Sequence, residues 1–183
     1  MTHKGQIVEI PAKSPLYRRN KDSWNSKYEE LLSKSTKRYS LFDGFLVGEH
    51  LGIENFKLGQ RKGINVGGKK APLYVIGIDA EENRLFVGEG ELHPGLWFSV
   101  FCFNRDEFVW TESFETNQNL EEGISVEIDN SAEQTIIPAS LYLINNIIFL
   151  ELENSLNISF LYERISIFKN NNIIAEKKKI NIS

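Results

Sequence analysis

The sequence predicts a mainly β protein, a β-rich α+β chain with one amphipathic helix. Three observations carry that expectation. Short apolar or period-two runs, divided by clusters of Gly, Asn, Asp and Pro, recur from Gly5 to the end of the chain. A single stretch, 22–34, has a helical stripe instead: Trp24, Tyr28, Leu31 and Leu32 recur at i, i+4, i+7 and i+8. Between these, Lys57 to Gly77 holds five basic residues and five glycines in twenty-one positions, with no acid.

In chain order, Gly5–Ile10 reads as a short strand, and Pro11 and Pro15 then break regularity. The helix follows over 22–34. Asp22 or Ser23 can cap it, Ser26 and Glu29 have capping-box spacing, and Lys27 and Lys34 fall off the stripe. Phe42 to Gly48 reads as a turn and a strand. Residues 73–78 and 84–88 are apolar runs around Asp79-Ala80-Glu81-Glu82-Asn83, the pattern of a hairpin. From Leu96 onward the pattern is all strand. Trp97–Phe103 is an apolar run, and 123–128 and 148–153 alternate with period two. A shorter run lies at 141–144, and 165–168 and 173–175 flank the turn Lys169-Asn170-Asn171-Asn172. About six strands in residues 96–183 suggest a small antiparallel barrel or sandwich. Two domains are therefore expected: 1–95, a small β domain with an inserted basic helical segment over 11–42, and 96–183, the all-β half.

Composition narrows the class. Of 183 residues 41% are apolar, 25% charged and 11% aromatic, as in a soluble globular chain. The net charge of −4 argues against a protein that coats nucleic acid wholesale, yet its distribution is uneven. Residues 1–40 carry nine Lys/Arg against four Asp/Glu, whereas 111–183 carry five against eleven. The one cysteine, Cys102, forms no intrachain disulfide, and it lies in the apolar run Phe98–Phe103, where a thiol is usually inert packing. With no apolar signal core at Met1–Gly5 and no membrane-length apolar run, the sequence predicts a cytoplasmic protein without a membrane segment. His3, His50 and His93 lie far apart, so no metal site is expected. Asp79, Glu81, Glu82, Glu89 and Glu91 read as solvated turn charge rather than as a hydrolase pair.

The stretch 57–77 is the most informative. Glycines permit left-handed backbone and close approach, and basic side chains between them make an anion-facing surface. It is neither a Walker loop nor a dinucleotide fingerprint, because both spacings are absent. Lys57, Arg61, Lys62, Lys69 and Lys70 are candidate phosphate contacts, Gln60 can read a sugar or base edge, and Gly59, Gly63, Gly67 and Gly68 shape the loop.

Gly59-Gln60-Arg61-Lys62-Gly63 followed by Val66-Gly67-Gly68 resembles the Gly-Gln-Arg loop of the tRNA-specific 2-thiouridylases, the MnmA family. Gly48-Glu49-His50-Leu51-Gly52 upstream is similar to that family's approach to the loop, and Pro72-Leu73-Tyr74-Val75-Ile76 to the strand after it. Asn83-Arg84-Leu85-Phe86-Val87-Gly88 and His93-Pro94-Gly95-Leu96 are family-like in the same order. The resemblance implies the family's central and C-terminal domains, the latter a six-stranded antiparallel β-barrel like domain 2 of translation elongation factors. It also implies tRNA as partner. Three stretches depart from it: the insert over 11–42, Asn157–Glu163 in place of a Thr-Pro-Gly-Gln turn, and Glu176-Lys177-Lys178-Lys179 in place of a glycine-rich strand.

The family's chemistry resides in a PP-loop domain with a Ser-Gly-Gly-x-Asp-Ser loop and two cysteines, and neither motif occurs in this sequence. No catalytic residue, cofactor or metal is therefore assigned. The resemblance leads to a tRNA-binding module that does not thiolate by itself; the alternative is a subunit that docks on a separately encoded PP-loop catalytic protein. An independent enzyme needs a constellation that the sequence does not display. Met1 lies close before a family-like strand, which suits a free-standing gene product and a fragment equally. For the insert, Arg18, Arg19, Lys21, Lys27, Lys34, Lys37 and Arg38 suggest an RNA grip, while the helical stripe suggests packing on a sheet. Tyr17, Trp24, Tyr28 and Tyr39 are candidate stacking groups in the same arm.

Overall fold

A computed structural model describes residues 4–18, 23–112, 114, 120–130 and 135–178. His3, Arg19, Lys21, Asp22 and Lys179, named above, lie outside them. The protein is mainly β, with one α-helix among the described residues, as the sequence predicts. By contacts the chain forms two compact units, one from residues within 1–22, 37–97 and 157–159, the other from 23–36, 98–156 and 160–183.

The first unit is built on a four-stranded sheet of β1 (Gly5–Glu9), β2 (Phe45–His50), β3 (Leu73–Asp79) and β4 (Arg84–Glu89), in the order β2-β1-β4-β3. The β3–β4 hairpin closes where expected. Asp79 accepts the backbone N–H groups of Glu81 and Glu82 at 3.1 Å each, and Asn83 takes φ 52°. The Asp79 carboxylate holds the turn. The pairing of β1 with β4 is parallel and that with β2 antiparallel. On one side Ile7, Leu73, Val75, Leu85 and Val87 form a core that also takes in Ile64 from the loop.

The second unit is a seven-stranded sheet that curls into a half-barrel, with the order β5-β9-β8-β7-β10-β11-β6. Its strands are β5 (Trp97–Asn104), β6 (Phe108–Trp110), β7 (Leu120–Asn130), β8 (Thr135–Ile144), β9 (Ile147–Asn157), β10 (Ile165–Lys169) and β11 (Asn172–Lys177). The strand beyond the expected six is β6, whose three residues are too few to show a period. Two-residue turns join β8 to β9 and β10 to β11. Asn145, Asn146, Asn170 and Asn171 all have φ between 51° and 64°, the left-handed pair that a tight hairpin turn requires.

Helix α1 runs from Lys27 to Ser35, starting later than the stripe suggests. Ser26, of the expected capping-box pair, and not Ser23 is the cap: its hydroxyl accepts the Glu29 N–H at 3.2 Å, and the Glu29 carboxylate accepts the Asn25 N–H at 3.0 Å. The cap set the boundary because it satisfies donors that an earlier start would leave open. Leu31 is fully buried against Val100, Tyr142, Ile144 and Phe149, with Tyr28, Leu32 and Cys102 packed around it. The stripe thus docks on the half-barrel, and Cys102 is a packing side chain in that cluster. Replacing Leu31 with Ala should cost roughly 2–5 kcal/mol of stability in urea unfolding, through lost burial and the cavity left behind.

Candidate nucleic-acid interface

The glycine loop runs from a 3-10 turn at Ile53–Asn55 to β3. Its apolar residues point inward. Ile64 is buried in the sheet core, and Phe56, Leu58 and Val66 pack against the same cluster. The backbone is tied down beside them. Gly59 N–H donates to Val75 O at 2.7 Å, and Val75 N–H donates to Gln60 O at 2.9 Å. These two bonds cover the outer edge of β3 at Val75, next to the irregularity where β3 shifts register between Val75 and Gly77.

Gln60 holds the loop from within. Its Oε1 accepts the Lys57 N–H at 3.1 Å, while its Nε2 donates to Asn55 O at 3.3 Å and Lys62 O at 2.8 Å. The amide therefore satisfies three backbone groups of the loop itself. Gly59 has φ 80°, and a Cβ there would lie 3.3 Å from Ile158 and 3.4 Å from Asn157. Left-handed backbone and a close neighbour together call for glycine. The neighbour is a short turn in which Asn157 Oδ1 accepts the Ser159 N–H at 3.0 Å. This buttress is the stretch that departs from the family pattern, and only its Asn-x-Ser spacing hints at the turn. Gly63 and Gly68 also have positive φ, whereas Gly67 has an ordinary φ and open space around it.

The basic residues fall into two groups. Arg61, Lys62 and Lys70 are exposed, and none makes an ion pair with a described residue. Lys69 is half-buried and pairs with Glu9 on β1. Lys57 is half-buried, with its backbone N–H on Gln60. Arg61, Lys62 and Lys70 are thus the exposed cations of the loop, and a Cβ on Gly67 or Gly68 would meet open space.

The insert contributes fewer free charges than its sequence suggests. Lys27 Nζ lies 2.9 Å from Glu151 and 3.2 Å from Glu30, and Lys34 pairs with the same two acids. Burial opposes the charge on Lys27, but Glu151 and Glu30 more than offset it and raise its pKa. Lys34 holds Glu30 below the usual carboxylate range against the opposing effect of burial, and Lys27 adds to the lowering. Lys37 donates to Pro94 O at 2.7 Å and Trp97 O at 2.8 Å, and burial lowers its pKa to about 8. Arg18 and Arg38 remain exposed. The aromatic residues are engaged as well. Tyr28 meets Phe149 edge-on, and the Tyr17 hydroxyl lies 3.2 Å from that of Tyr39, which packs on Phe86.

Both described histidines are buried and bonded to backbone. His50 lies 3.3 Å from Asn83 O through Nε2, and its Nδ1 accepts the Gly52 N–H. His93 Nε2–H donates to Ile10 O at 2.9 Å, Nδ1 accepts the Gly95 N–H, and Tyr17 covers the ring edge-on. Burial pushes the His93 pKa below its ordinary 6.5, and nearby Lys37 adds to this. These side chains hold turns.

The family model described as tRNA methyl transferase PRC-barrel domain matches residues 29–89, which include the whole loop. The chain is 36% identical to the tRNA-specific 2-thiouridylase MnmA of Karelsulcia muelleri over 152 residues, 82% of this chain and 36% of that protein. It is 41% identical to the protein of that name from Christiangramia forsetii over 108 residues, 58% of this chain and 27% of the relative. A third, from Flavobacterium johnsoniae, is 36% identical over 126 residues, covering 68% and 31%. The chain spans about a third of the length of these relatives.

Two outcomes test this geometry. Gln60→Ala frees three backbone groups, so the Lys57 amide should exchange faster with solvent and stability should fall by about 1–2 kcal/mol. A histidine with a lowered folded-state pKa is charged more readily in the unfolded chain, so its stabilising contribution is full above pH 6.5 and lost as pH falls toward the folded value. The melting temperature should therefore drop between about pH 7 and pH 5, and His93→Gln should flatten that slope.

Proposed function

From the chain's relation to the central and C-terminal portion of the tRNA-specific 2-thiouridylases, we propose that it is a tRNA-binding module in wobble-uridine 2-thiolation, not catalytic by itself. The observation that carries the reading is the loop. Three exposed cations, without ion pairs among the described residues, stand on a loop whose apolar side chains pack against the sheet core, in a chain whose net charge is −4. A fixed cationic face attracts phosphate against an unfavourable background field only through its local charge. Arg61 offers a planar fork suited to phosphate, and Lys62 and Lys70 offer point charges. Gly67-Gly68 leaves room for a sugar–phosphate strand to approach the backbone. Gln60 is a positioning residue in this reading, because its amide already serves the loop, and Lys69 acts chiefly on Glu9.

The same reading takes the cytoplasm as the setting and requires no metal at the interface. Among the described residues no helix is long and apolar enough to cross a membrane. Cys102, packed under α1, is not assigned to sulfur transfer. A second reading, docking on a separately encoded PP-loop catalytic protein, is favoured by a cluster of exposed apolar side chains at Phe42, Phe45, Leu46 and Leu51.

The test is binding of total tRNA across a salt series. The wild-type chain should bind at low salt and weaken steeply as salt rises, as counterions released from phosphate dictate. Arg61→Ala/Lys62→Ala should lose most of that affinity, and its salt slope should shrink by roughly 1–2. Absence of binding at low salt would end this reading for the chain.

A further inference from the structure

Lys70 is exposed, yet the chain on either side of it is held. Before it, Lys69 pairs with the Glu9 carboxylate on β1. After it, the Ala71 N–H donates to Glu89 Oε1 at 2.7 Å, and Pro72 O accepts the Gly90 N–H at 2.8 Å. Glu89 is the last residue of β4, is half-buried, and stands in register with Leu73 of β3. Leu73 and Val87 both belong to the buried core of the first unit. The carboxylate is therefore carried on well-packed strand. The stretch before Lys69 gives no such support, since a Cβ on Gly67 or Gly68 would meet nothing within 4 Å. Read by sequence, Glu89 belongs to a cluster of turn acids, and only the fold brings it to an amide eighteen residues away.

An acid in this place has two opposing effects on a phosphate-binding surface. Its charge lowers the local positive potential. Its bond fixes the backbone from which Lys70 projects, and a cation already in place loses less entropy when it binds. The first effect is small at an exposed lysine, because solvent and salt screen it. The second is the larger, because a carboxylate oxygen on a backbone N–H is among the shorter and stronger hydrogen bonds. We propose that Glu89 is a positioning residue for phosphate recognition at Lys70, an acid that strengthens the binding of a polyanion by holding the Ala71 amide. The inference rests on the tRNA-binding reading above and adds a residue that acts through Lys70.

Glu89→Ala and Glu89→Gln remove the same charge, but only Gln keeps an oxygen that accepts the Ala71 N–H. Electrostatics alone would make both variants bind tRNA more tightly than the wild type, whereas a positioning role separates them. Against total tRNA at low salt, Glu89→Ala should bind roughly 3-fold or more weakly, with a salt slope smaller by about 1, as for one lost phosphate contact. Its Ala71 amide should exchange faster with solvent. Glu89→Gln should bind at least as tightly as the wild type, with the wild-type slope. In a Lys70→Ala background Glu89→Ala should cause no further loss, because two residues acting through one contact are not additive. Thermal melting reports whether each variant folds. Should Glu89→Ala fail to melt cooperatively, Glu89→Asp replaces it: it keeps the charge, shortens the reach, and should bind more weakly than Glu89→Gln. The proposal is overturned if folded Glu89→Ala binds as tightly as the wild type or tighter, or if Glu89→Gln loses affinity with it. It is overturned equally if Glu89→Ala weakens the Lys70→Ala chain by the same factor as the wild type, since Glu89 then does not act through Lys70. Absence of wild-type binding at low salt ends the tRNA reading itself, and this inference with it, so the two failures are told apart.

Discussion

The site depends on one constraint: a loop too polar and glycine-rich to hold its own shape is fixed by its few apolar residues. Phe56, Leu58, Ile64 and Val66 enter the sheet core, and the Gly59–Gln60 backbone pairs with Val75. Burial of four such side chains supplies the stabilisation, and the backbone bonds convert it into a defined path. What remains for solvent is then determined by elimination. Arg61, Lys62 and Lys70 stand exposed, while Ile64 and Val66 between them are committed to the core. A cationic face on a fixed path differs from the same charges on a mobile tail, because side chains that need not be ordered again on binding lose less entropy.

Charge placement shows why a count of lysines and arginines misleads. The N-terminal forty residues are the most basic part of the sequence, yet three lysines there are already occupied. Lys27 and Lys34 share Glu30 and Glu151, and Lys37 caps two carbonyls. Glu30 and Glu151 sit well apart in sequence, and no local pattern announces that α1 will lie beside β9. Lys69 is similar: Glu9 is sixty residues away and becomes its partner only through the fold. Sequence gives the sign of a charge, while tertiary structure decides whether that charge is available.

The strands and the hairpin turns were legible because their signals are local. Alternating residues, Asn pairs and the Asp79 turn each act within a few positions of themselves. The helix was legible as a stripe, and among the caps the sequence offers the Ser26–Glu29 pair is the one that starts it. β6 was invisible at three residues and exists because β11 offers it an edge. Within the site, the loop and its five basic residues could be read directly, but not which of them stand exposed. Gln60 could not: a glutamine beside arginine in a basic loop suggests recognition, and only geometry places its amide on three backbone groups of its own loop. The Asn157–Ser159 buttress under Gly59 was equally hidden, being some hundred residues away in sequence.

The basic loop and the apolar edge strand are mechanically adjacent. A Cβ on Gly48 of β2 would lie 3.1 Å from the Val66 side chain and 3.9 Å from that of Ile7, so the loop's inner anchor rests directly on the edge strand. Ile7, Val47 and Val66 then belong to one core cluster, in which a shift of β2 is felt by the loop. The basic loop and the apolar edge strand thus draw their rigidity from the same few buried side chains.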